Sequence, residues 1–113
     1  MIPKTFTLVN RKWKVILTDN NGLQAHLDRH WNHDQQENRI EGHECKGFCD
    51  QGEAAIYINI EKHGHRDDLE HTYHHELIHA LLYANGLNGH DESMVDRLGG
   101  FLHQVHQTKK GEQ

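Results

Sequence analysis

Hydrophobic positions along this chain fall into blocks of two kinds, one with the period of a strand and one with the period of a helix. Residues 5–9 (TFTLV) and 13–18 (WKVILT) are rich in β-branched and aromatic side chains, with Asn10, Arg11 and Lys12 between them. They predict two short strands or a single bent one. After the breaker Asn20-Asn21-Gly22, apolar residues recur at every fourth position, Leu23, Leu27 and Trp31, which predicts a helix fading near Asn32. Residues 33–43 are polar and aperiodic and read as a surface loop. Residues 47–50, a Gln51-Gly52-Glu53 turn and residues 54–60 (AAIYINI) predict a hairpin. In its second strand Ile56, Ile58 and Ile60 alternate with Tyr57 and Asn59, which implies one buried face.

The C-terminal half is helical in pattern. Asp67 followed three positions later by Glu70 has the form of a capping box, and apolar residues then recur at Leu69, Tyr73, Leu77, Ala80, Leu81 and Ala84 until Asn85-Gly86 supplies a stop. A second helix is expected after Asn88-Gly89, with Val95, Leu98, Leu102 and Val105 on its packed face and its end near Gln107. Residues 108–113 read as a flexible tail. Strands followed by long helices predict an α+β domain over residues 1–107: a small mixed sheet packed on one central helix and on a second, C-terminal helix.

Bulk properties narrow the function. A chain of 113 residues makes one domain. A net charge of −5 disfavours nucleic acid as a partner, because phosphate neutralisation needs surplus Lys and Arg; Arg11, Lys12 and Lys14 alone read as a solvated face. No charged leader with an apolar core opens the sequence and no run approaches the roughly 18 apolar residues of a membrane span, so a soluble, cytoplasmic protein with no membrane partner is expected. Cys45 and Cys49 fit a reduced compartment in which neither is bridged.

The candidate chemistry lies in HHELIHALL, residues 74–82, which spells His-Glu-x-x-His from His75 to His79. In a chain with 13 His the pattern is not rare by chance, since shuffling yields roughly 0.12 copies. Its placement on a helix is what gives it weight. Four helical residues turn the chain about 400° and advance it about 6 Å, so both imidazoles project from one face and can reach one zinc at about 2.0–2.1 Å. Glu76 beside them is placed to take a proton from a water that zinc makes nucleophilic near neutral pH, and to return it to a leaving amine. The plain alternative, two solvent-facing histidines on an amphipathic helix, fits poorly with a segment as apolar as Leu77, Ile78, Ala80, Leu81 and Leu82. His71 lies on the same stripe but about 12 Å from His79, too far to share one ion, and it and His74 read as exposed or as outer partners.

A catalytic zinc needs one further protein ligand and an open position. The metzincin pattern would require Gly and His where the chain has Leu82 and Asn85. Downstream, Glu92 and Asp96 are again one helical turn apart, and at this point the chain resembles the zincin metallopeptidases of the gluzincin type. It is also similar to the small zincin-like proteins that phages and mobile elements encode. The resemblance covers roughly residues 47–107. It implies His75, His79 and Glu92 as ligands of Zn2+, Glu76 as general base and Asp96 as acceptor for the remaining N–H of His75. By the same resemblance, the function is hydrolysis of peptide bonds in a protein or peptide substrate. The chain departs from thermolysin-like members in lacking the domain that forms the other wall of the cleft, and no histidine matches their transition-state stabiliser. SprT-like zincins use a later His as third ligand, which makes His90 a competitor of Glu92.

His43, Cys45 and Cys49 have no usual zinc spacing and no fourth ligand nearby, and they read as ordinary residues. The main rival to a peptidase is a non-enzymatic, zinc-stabilised regulatory or virion-associated module, in which four protein ligands would close the site. A DNA-associated accessory role is a weaker rival on charge.

Overall fold

The computed structural model describes residues 2–32 and 40–111. Most of the expected 33–43 loop and the last two residues of the expected tail therefore lie outside the described residues. The fold is α+β. Strand β1 (Thr5–Leu8) turns into β2 (Arg11–Thr18), helix α1 (Asn20–Leu27) follows, then the hairpin β3 (Gly47–Asp50) and β4 (Ala55–Asn59), and finally α2 (Arg66–Ala84) and α3 (Glu92–Gly111). The four strands form one mixed sheet in the order β1-β2-β4-β3. β1 and β3 are antiparallel to their neighbours, and β2 and β4 are parallel.

A parallel pair needs a crossover, and α1 lies within it. Its start is earlier than the pattern predicts, because the Asp19 side chain accepts a hydrogen bond from the Gly22 amide at 2.7 Å and turns Asn20-Asn21-Gly22 into the first helical turn. The β1–β2 turn is tighter than expected: Val9 and Asn10 both have positive φ, +48° and +65°, and the second strand resumes at once at Arg11.

The expectation of one buried face on β4 is corrected, since all five of its residues are buried. Ala55 and Tyr57 pack against Leu23 and Leu27 of α1, while Ile56 and Ile58 pack with Trp13, Tyr73 and Ala80 on the α2 side. The strand is a central one between two helical layers, where even polar Asn59 is fully enclosed. Its side-chain amide donates to Asn20 Oδ1 and to the carbonyls of Gly42 and Cys45, so its burial leaves no donor unmade.

α2 begins one residue before the expected capping box. Its N-cap is His65, without a side-chain bond, and Asp67 instead contacts His103 and Gln107 of α3. It ends as the sequence predicts, with Asn85 as cap, Gly86 at φ +79° and the Leu87 amide bonded back to Leu82 O. α3 folds back antiparallel, so that Glu92 meets His79, Asp96 meets His75 and His103 meets His74. It buries Val95, Gly99 and His103 and leaves Leu98, Phe101 and Val105 exposed, so that of the predicted face Val95 is buried, Leu102 half-buried and the other two residues face outward. It also continues through residues 108–111, which the sequence reads as tail. Among the described residues no helix is long and apolar enough to cross a membrane.

Candidate metal centre

His75 and His79 sit one turn apart on the face of α2 that α3 covers. Their Nε2 atoms both face the Glu92 carboxylate, His75 at 3.4 Å from Oε2 and His79 at 3.1 Å from Oε1. Two ligand atoms bound to zinc at about 2.0–2.1 Å and at the tetrahedral angle lie about 3.3–3.4 Å apart, close to both separations. The three side chains form a group that could hold a metal ion, with ligand atoms all within 4.8 Å of one another.

The other ring nitrogens decide which lone pairs face inward. His75 Nδ1 lies 2.8 Å from Asp96 Oδ1, a carboxylate that can only accept, so Nδ1 carries a ring proton and a metal would take Nε2, the nitrogen that faces Glu92. His79 reaches the same state through a relay. His90 Nε2 donates to the Leu87 carbonyl at 2.6 Å, its Nδ1 is left as an acceptor, and His79 Nδ1 donates to it at 2.7 Å. Thus His90 stands behind His79 on the side away from Glu92, and it is Glu92 that meets the paired Nε2 atoms.

Gly99 makes the approach of α3 possible. A Cβ there would stand 3.0 Å from the Cα and 3.2 Å from the amide nitrogen of His75, whereas one at Gly100 would meet nothing nearer than His71 Nε2 at 3.9 Å. On the other side the edge strand β3 closes in through Gly47, where a Cβ would stand 2.8 Å from Thr72 Cγ2 and 3.0 Å from Glu76 Oε2. Two adjoining hollows, of about 300 and 280 Å³, both reach Gly47, His75 and Glu76. Lys46, His71 and Asp96 line one, and Phe48, His79 and Tyr83 line the other.

Burial dominates the electrostatics. It pushes the Glu76 carboxyl up to about 8, with the negative charge of Glu92 adding to the effect. It lowers the pKa of His79, against the pull of Glu92, which favours the neutral imidazole that a metal requires. Burial likewise raises the thiols of Cys45 and Cys49, with Glu76 the next cause for both.

His71 is exposed as expected and stacks on His103 at 5.1 Å. His74 is not exposed: it is 6% accessible and bonds His103 Nδ1 at 3.0 Å, because the face of α2 that meets α3 is built from histidines. His43 is exposed, both cysteines are free, and neither they nor His43 belong to any metal-capable group among the described residues. Sequence reasoning missed Tyr83 and Lys46 as cleft residues and the position of His90 behind His79. A turn-length connection after Gly86 was a signal for the last, since a residue just before α3 must return beside the end of α2. No protein-family model, no curated protein and no solved structure matches this chain.

Proposed function

We propose that the chain is a zinc-dependent peptidase whose metal ligands are His75, His79 and Glu92 and whose general base is Glu76. The observation that carries this reading is the convergence of two Nε2 atoms on one carboxylate, with the Nδ1 atom of each ring held from behind by a separate hydrogen-bond partner. Second partners that fix tautomer and orientation are what metal-binding histidines need.

Zinc held there would supply Lewis acidity, polarising a peptide carbonyl and making water nucleophilic near neutral pH. Glu76, buried between the imidazoles and β3, is within reach of the same space and carries the proton from nucleophile to leaving amine. Asp96 and His90 keep the two imidazoles in their binding tautomer. Gly47–Asp50 is an edge strand beside the cleft, and an extended peptide adding to such an edge bonds through its main chain, which tolerates many sequences. The closed-site rival needs a fourth protein ligand, and the nearest imidazole, that of His90, is engaged at the far nitrogen of His79.

Glu76→Gln tests the assignment. The variant is expected to fold and retain zinc while losing hydrolysis of an unstructured protein such as casein. Loss of zinc together with activity would make Glu76 a ligand. An inactive, zinc-loaded parent protein would transfer the reading to the structural rival.

A further inference from the structure

On the opposite face of the sheet a second group of side chains has the same construction, independent of the first. His26 and His30 are one helical turn apart, His26 within α1 and His30 in the wide π-type turn Asp28–Asn32 that extends it. Such turns are rare and recur at functional sites. Across from them are Asp50, the last residue of β3, and Glu53 in the turn to β4.

His26 is 1% accessible, and its Nε2 lies 2.9 Å from Oδ2 of the buried Asp50. The carboxylate fixes the ring proton at Nε2 and leaves Nδ1 with a bare lone pair. That Nδ1 is the sole buried side-chain nitrogen or oxygen among the described residues without a hydrogen-bond partner. An unmade bond on a buried polar atom costs about 1–3 kcal/mol and calls for a ligand, ion or water. The atom is turned towards Glu53, whose Oε2 is 3.8 Å away, beyond hydrogen-bond reach. Glu53 Oε1 lies 2.9 Å from His30 Nε2, and its Oε2 accepts from the Tyr57 hydroxyl at 3.0 Å. Tyr57 in turn stacks on the His26 ring at 4.0 Å and holds it in place. One ligand atom each of His26, His30 and Glu53 converge within 4.8 Å of one another, His26 Nδ1 and His30 Nε2 being the nitrogens that face Glu53.

We propose that His26, His30 and Glu53 form a second site for a divalent transition-metal ion, with Asp50 orienting His26 as Asp96 orients His75. Two imidazoles and one carboxylate suit zinc and its neighbours in the first transition row and do not suit calcium or magnesium, which take oxygen ligands. The ion would clamp α1 to the turn that follows β3, the strand beside the cleft, and so brace that strand from the far face of the sheet.

The probe is Zn2+. In a chain carrying His75→Ala and His79→Ala, which removes the first site, a zinc equivalent should still bind and raise the melting temperature. Adding His30→Ala should weaken that binding by more than about a hundredfold, a larger loss than that of an outer partner. His30 is exposed and outside both apolar clusters, so its removal leaves the hydrophobic core in place. In crystals of the unaltered chain grown with zinc, scattering at the zinc edge should place a peak between His26 Nδ1 and Glu53. No peak there, or equal zinc binding with and without His30, overturns the proposal. A chain that binds zinc here and not at His75 and His79 keeps this proposal and defeats the peptidase reading.

Discussion

Asp96 and His90 touch the same kind of atom, the ring nitrogen facing away from Glu92, and this makes their removal comparable. Asp96→Asn and His90→Ala should each weaken zinc binding about 10–100-fold, whereas Glu92→Ala, which deletes a proposed ligand, should weaken it far more. Competition with a chromophoric chelator measures all three, and a chain that loses its zinc with His90→Ala but not with Glu92→Ala would make His90 the third ligand. A second residue-scale prediction concerns Val9, a β-branched residue held at φ +48° and 80% exposed. Replacing it with Asn, which tolerates that region, should stabilise the fold by about 1 kcal/mol in urea unfolding. At this scale the sequence was most informative where spacing sets geometry: the convergence of His75, His79, Glu92 and Asp96 is legible because one helical turn separates the members of each pair. His90, His74 and the His26–Asp50 pair were not, because their roles depend on which element lies opposite.

That dependence explains the errors at the scale of elements. Alternation along β4 was legible, but alternation says only that a strand has two faces, and whether the second is covered depends on where α1 packs. In α3 the aliphatic positions suggested one packed face, while the helix buries Val95, Gly99 and His103, because its partner surface on α2 is a row of imidazoles that small and polar residues fit. Gly99 is the sharpest test of this packing. Its missing Cβ faces the backbone of His75, which cannot move aside as a side-chain tip can, so Gly99→Ala must push the helices apart. A cost of about 1–3 kcal/mol is expected in thermal or urea unfolding. Because Glu92 and Asp96 travel with α3, the same substitution should weaken zinc binding. Unchanged zinc affinity in a destabilised chain would show that the site does not depend on this approach.

For the whole molecule the buried ionisable groups pull stability in opposite directions, and the metal-free protein should reveal both. Glu76 is an acid whose folded pKa, about 8, is raised above its ordinary 4.5. The native state keeps a proton that the unfolded chain has released, so the burden is absent below 4.5 and grows as pH rises towards 8. His74 is a base pushed down from 6.5 to about 4, chiefly by burial and then by the neighbouring His103 and His106. Here the unfolded chain takes the proton first, so stability present above 6.5 is lost as pH falls towards 4. With chelator present, Glu76→Gln should therefore melt higher than the parent at pH 8, and the gap should close as pH falls to 4.5. The stability of that variant should still decline from pH 6.5 to about 4, because His74 remains. Zinc at a hundred times the dissociation constant of the His75–His79 site should add about 2.7 kcal/mol to the parent at pH 8 through that site. It should add progressively less as the solution is made acidic, where protons compete for the imidazoles. A parent and a Glu76→Gln variant that melt together at pH 8 without metal would mean that the carboxyl is not buried against its charge, and the place given to Glu76 beside the imidazoles would have to be abandoned.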